Sequence, residues 1–92
     1  MKYEILNAGY EKVFDSLEEA QAYMKQNGYV FAFSRTVFAG HDEDNQEVYD
    51  DAEYYFCAAD LPNGWENMSD DELMIDLYGY DKAPTIYPRA NA

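Results

Sequence analysis

Residues 47–59 read EVYDDAEYYFCAA, and their alternation decides the fold. Successive side chains of a strand point to opposite faces. Val48, Ala52, Tyr54, Phe56 and Ala58 therefore fall on one face, and Glu47, Tyr49, Asp51, Glu53, Tyr55 and Cys57 on the other. Asp50 is the one acid on the apolar side. The pattern predicts a strand with one packed and one acidic face. Just before it, residues 40–46 (GHDEDNQ) form a polar turn, and residues 29–39 are aromatic and β-branched, the composition of a long strand. Together they make a long antiparallel hairpin.

Ser16-Leu17-Glu18-Glu19 and Ser69-Asp70-Asp71-Glu72 are capping boxes. In such a box the serine hydroxyl accepts from a first-turn amide while the glutamate carboxylate three residues on, Glu19 in the first, reaches back to the serine amide. Leu17, Ala20, Tyr23 and Met24 recur at helical spacing, and Gly28 supplies a left-handed stop, so the first helix covers 17–27. The second covers 70–78, with Leu73, Met74, Leu77 and Tyr78 inward and Gly79 at its end. Residues 2–7 and 11–14 flank Asn7-Ala8-Gly9 as a short hairpin. Leu61-Pro62-Asn63-Gly64 is a loop, and residues 81–92, with Pro84 and Pro88, form an extended tail. The expected fold is a single acidic α+β domain over 1–92. It has an antiparallel sheet of about four strands in ββαββα order, with two helices packed on it.

Charge is distributed unevenly along this frame. Residues 36–81 contain no Lys or Arg but carry 14 of the 19 carboxylates. Net charge is −13, with a sequence pI near 4.1. Such a balance argues against direct contact with nucleic acid or an anionic membrane. A hydrophobic fraction of 48%, with ten Tyr and five Phe, argues equally against a disordered acidic tail. The longest apolar run, residues 29–33, is far short of the roughly 20 residues of a membrane span. The N-terminal residues have no apolar segment of the signal-peptide kind. The single cysteine, Cys57, suits a reducing compartment, and the expected location is cytoplasmic.

Catalytic constellations are weak. The one histidine, His41, falls in the polar turn and Cys57 on a strand, so neither Ser nor Cys has an adjacent base. Glycines 9, 28, 40, 64 and 79 stand singly at element boundaries rather than in a phosphate-binding loop. Asp42, Asp44, Gln46, Val48, Asp50 and Glu53 match the spacing of a helix-loop-helix calcium site, but Glu47 occupies the position where that loop needs glycine, and the flanks are strands. The sequence is read as a non-enzyme without cofactor or metal site.

The acids have a simpler use. Self-repulsion opposes a compact state, and interspersed lysines would relieve it, so an imbalance of this size points to a cationic partner. The strongest cationic surfaces in a cell are those that hold nucleic acid. Glu47, Asp51 and Glu53 form a row on one strand face, where residues two apart are separated by about 6.7 Å, close to two steps of about 3.4 Å along a nucleic-acid strand. Tyr49 and Tyr55 share that face as aromatic anchors, and Glu72 and Asp76 add a helical pair at i, i+4 spacing.

In size, charge and aromatic content the whole chain resembles the DNA-mimic inhibitors of phages and mobile elements, such as the anti-restriction, anti-CRISPR and uracil-glycosylase-inhibitor proteins. That resemblance implies a stoichiometric inhibitor that occupies a nucleic-acid cleft. The expected partner is a basic nucleic-acid-binding protein, met by a monomer or weak homodimer in the cytoplasm, the host's if the chain is phage-encoded. An immunity protein or antitoxin that neutralises a basic nuclease is the alternative. A carboxylate-metal enzyme and a housekeeping acidic domain are the remaining classes.

Overall fold

Both serine hydroxyls accept as the sequence predicts, and at the second box Glu72 Oε1 accepts from the Ser69 hydroxyl at 3.1 Å, not from the Ser69 amide. In the computed structural model, which describes residues 1–9, 12–77 and 82–90, the Glu19 amide donates to Ser16 Oγ at 3.2 Å. The Glu72 amide donates to Ser69 Oγ at the same distance. The helices that follow are α1 (Leu17–Gln26) and α2 (Asp70–Leu77). Asn27 and Gly28 stop α1, with Gly28 at φ 84°. The strands are β1 (Lys2–Leu6), β2 (Lys12–Phe14), β3 (Tyr29–His41), β4 (Glu47–Cys57) and β5 (Thr85–Arg89). The expected strand start at Glu11, the helix end at Tyr78 and Gly79, and Asp81, Asn91 and Ala92 of the tail lie outside the described residues.

One antiparallel sheet holds all five strands in the order β2-β1-β5-β4-β3. The α+β class is as expected, but the element order is ββαββαβ. Part of the expected tail is strand β5, wedged between β1 and β4 to join the two hairpins. Pro88 in such a central strand runs against the rule that proline avoids ladders. The register explains its tolerance. On the β4 side β5 pairs only at Thr85–Tyr54 and Ile86–Glu53, and that ladder has ended before Pro88.

Each face of the sheet carries one helix. Tyr55 and Phe56 are adjacent on β4 and so point oppositely. Tyr55 clusters with Ile5, Ala20, Met24 and Ile86 beneath α1, whereas Phe56 clusters with Leu73, Met74 and Ala83 beneath α2. The expectation of one packed and one acidic face is thereby corrected for residues 53–57, where both faces are covered. Among the described residues no buried side-chain nitrogen or oxygen lacks a hydrogen-bond partner.

The long hairpin contains two register shifts, at Ala32 and Ala39. The first puts Phe31 opposite Tyr55 on the α1 face but Phe33 opposite Tyr54 on the α2 face, where the two rings stack at 5.0 Å. The second lets the far half of the hairpin bend onto the end of β5: the Ala90 amide donates to the Ala39 carbonyl at 2.8 Å, and the Tyr87 hydroxyl donates to the Phe38 carbonyl at 3.2 Å. The molecule is elongated, 46 × 25 × 18 Å. Among the described residues no helix is long and apolar enough to cross a membrane.

Candidate partner-binding face

The β3–β4 register builds a ladder on the α1 side of the sheet. His41 lies opposite Glu47, Phe38 opposite Tyr49, Thr36 opposite Asp51, Ser34 opposite Glu53 and Phe31 opposite Tyr55. Cross-strand partners share a face, so these ten residues form one surface. α1 covers only the end at Tyr55. Towards the turn the surface is open, with Glu47 and Asp51 exposed, Tyr49 59% exposed and Phe38 42% exposed. Phe38 meets Tyr49 edge-on at 5.7 Å and His41 edge-on at 5.4 Å, a small aromatic patch among the acids.

Three carboxylates in this ladder are held by uncharged donors. The Tyr49 hydroxyl donates to Glu47 Oε2 at 2.9 Å, and the Thr36 hydroxyl donates to Asp51 Oδ1 at 3.0 Å. Glu53 accepts from Gln21 Nε2 at 2.9 and 3.2 Å on its two oxygens and from the Tyr55 hydroxyl at 2.9 Å. A hydroxyl or amide orients a carboxylate without cancelling its charge. Ion pairs at Lys2–Asp15, Arg35–Asp70, Arg35–Asp71 and Arg89–Glu4 use other acids. Burial, followed by the hydrogen bond and charge of Glu53, raises the Tyr55 hydroxyl above its ordinary pKa. The hydrogen bond to Glu47, followed by its charge, does the same for Tyr49. Both hydroxyls therefore remain donors at neutral pH.

Of the residues expected at a partner site, Glu47, Tyr49, Asp51 and Glu53 stand together on this face. Tyr55 shares it but is 4% exposed, a core residue and not the exposed anchor expected, because α1 packs over it. Glu72 and Asp76 are exposed on α2, against the opposite face of the sheet, so they form a separate patch. Sequence reasoning missed Phe31, Phe38, Thr36 and Gln21. Composition assigned residues 29–39 to a strand, yet the shift at Ala32, which sets the face of every following side chain, has no compositional mark.

The calcium-like spacing is spent on the turn. Asp42 Oδ1 accepts from the amides of Asp44 and Gln46, both at 2.9 Å, closing a side-chain turn around Asn45 at φ 61°. Val48, Asp50 and Glu53 then run away along β4. Arg35 lies over the Phe33 ring at 5.4 Å and reaches both Asp70 and Asp71, so the acids of the first turn of α2 fasten that helix to the hairpin. The chain matches no protein-family model, no curated protein and no solved structure.

Proposed function

We propose that this protein is a nucleic-acid-mimic inhibitor that presents the open face of its long hairpin to the basic cleft of a DNA- or RNA-handling protein. One observation carries the proposal: Glu47, Asp51 and Glu53 project from one face of β4, oriented by uncharged donors, with the exposed rings of Tyr49 and Phe38 among them. Strand rise puts Asp51 and Glu53 about 6.7 Å apart and Glu47 about 13 Å from Asp51, a regular row of negative charge of the kind a nucleic-acid backbone presents. Aromatic rings beside carboxylates engage lysine and arginine through both charge pairing and cation-π contact. Glu72 and Asp76, behind the sheet, meet the opposite wall of a cleft that encloses the molecule. The net charge of −13 supplies long-range attraction and speeds encounter.

The test is capture of nucleic-acid-binding proteins on the immobilised chain, with release by duplex DNA. Paired reversal, Glu47→Lys with Asp51→Lys, inverts two exposed charges without touching the core. The expected outcome is slower association and a shallower salt dependence. A complex that persists unchanged in about 1 M salt, where the screening length is about 3 Å, or that ignores the double reversal, refutes the proposal.

A further inference from the structure

Where α1 stops covering the ladder, it leaves a groove of about 470 Å³. Tyr29, Val30, Phe31 and Tyr55 give it an apolar, largely aromatic lining. Phe31 is 46% exposed and meets Tyr55 edge-on at 5.7 Å. Its polar lining is Gln21 and Lys25, one turn apart on α1, and Glu53 from β4. The groove thus offers flat rings beside a carboxylate that is already aimed.

Glu53 is the polar group best suited to hold a ligand here. It is partly buried, and three hydrogen bonds fix it: two on Oε1, from Gln21 and Tyr55, and one on Oε2, from Gln21. Each carboxylate oxygen has about two acceptor sites, so Oε2 has one to spare. A ligand cation meets a charge whose orienting cost is already met within the fold. Lys25, by contrast, is exposed on a long flexible side chain, and a net charge of −13 repels an anion from any part of this surface.

Building on the docking proposed above, we infer that this groove receives an arginine side chain of the basic partner, with its guanidinium donating to Glu53 and its plane resting on the exposed Phe31 ring, which the buried Tyr55 ring supports edge-on. Arginine suits the site better than lysine. Its planar, weakly hydrated cation stacks on aromatic faces, whereas a compact ammonium keeps its water. The groove adjoins the acid row, since Ser34–Glu53 and Thr36–Asp51 are neighbouring rungs on one face. One arginine anchored there sets the position at which the partner's other cations meet Asp51 and Glu47.

The experiment titrates N-acetyl-arginine amide into the isotope-labelled full chain and follows its amide resonances. Saturable shifts are expected at the Gln21 side-chain amide and at the backbone amides of Tyr29, Phe31 and Glu53. Glu53→Gln should weaken binding about tenfold, as loss of a charge-assisted bond does. Phe31→Ala, at an exposed position that leaves the fold intact, should weaken it about threefold through lost stacking. Lys25→Glu should strengthen it by a similar factor. N-acetyl-lysine amide should bind more weakly than the arginine probe, and N-acetyl-glutamate amide should not bind. The inference is overturned by equal binding of the lysine probe, by glutamate binding at Lys25, by shifts spread over all exposed carboxylates, or by indifference to Glu53→Gln in a chain with unchanged spectral dispersion. Failure here, with DNA-releasable capture retained, rejects the arginine groove alone. Arginine binding without such capture rejects the docking proposal alone.

Discussion

Replacing Tyr55 by alanine tests whether β4 is buried on both faces. The ring is 4% exposed and clusters with Ile5, Ala20, Met24 and Ile86. Truncating a buried aromatic side chain to alanine costs about 3–5 kcal/mol, the lost transfer energy plus the cavity left behind. Total stability at about 0.05–0.15 kcal/mol per residue is roughly 5–14 kcal/mol for a chain of this length, so Tyr55→Ala should leave a marginal fold. Tyr55→Phe keeps the ring and removes only the hydroxyl bond to Glu53, which Gln21 continues to hold. Its cost should be about 1 kcal/mol, a fall in Tm of roughly 4–8 °C. Phe56→Ala, on the other face, should match Tyr55→Ala. Urea unfolding followed by Trp65 fluorescence and circular dichroism measures all three. A Tyr55→Ala protein within about 0.5 kcal/mol of the parent, the size of a surface substitution, alongside a severely destabilised Phe56→Ala, would show that α1 does not cover this strand.

Tyr49→Ala should leave stability nearly unchanged, because the ring is 59% exposed, but should raise the off-rate of a captured partner; an effect on association alone would remove Tyr49 from the contact. Gly40→Ala should destabilise by about 1–3 kcal/mol, since φ is 120° and the added Cβ would sit 3.3 Å from the Ala90 carbonyl oxygen; an unchanged unfolding midpoint would contradict the bend onto β5. Ser16→Ala should cost about 1 kcal/mol through loss of the cap on the Glu19 amide, read as a shift in urea midpoint at constant slope. Stability should decline above about pH 10. Burial raises the pKa values of Tyr3, Tyr54 and Tyr55 in the fold, so the folded chain keeps protons that the unfolded chain has begun to lose. Tyr55→Phe should flatten that alkaline decline, and an identical pH profile in the variant would refute the assignment.

The elements that local chemistry specifies were legible in the chain. Ser16 and Ser69 each accept from the amide three residues on, as the capping boxes predict, and Gly28 takes the left-handed conformation that stops α1. The alternation of residues 47–59 placed Glu47, Tyr49, Asp51 and Glu53 on one face of one strand, which is where the register holds them. Alternation assigns a residue to a face but carries no information on what lies over that face. Tyr55 has the same parity as Tyr49, yet one is in the core and the other is exposed, because α1 is long enough to cover only one end of the ladder. The separation of Glu72 and Asp76 from the acid row likewise follows from α2 packing on the far side of the sheet, a choice between two faces that the helix's own pattern does not make. Strand β5 looked like a tail because of its prolines. It is a strand because β1 and β4 both offer it hydrogen-bonding partners, and those partners lie about 80 and 30 residues away along the chain. Pairing over such distances depends on groups brought together by folding, so no local sequence signal records it.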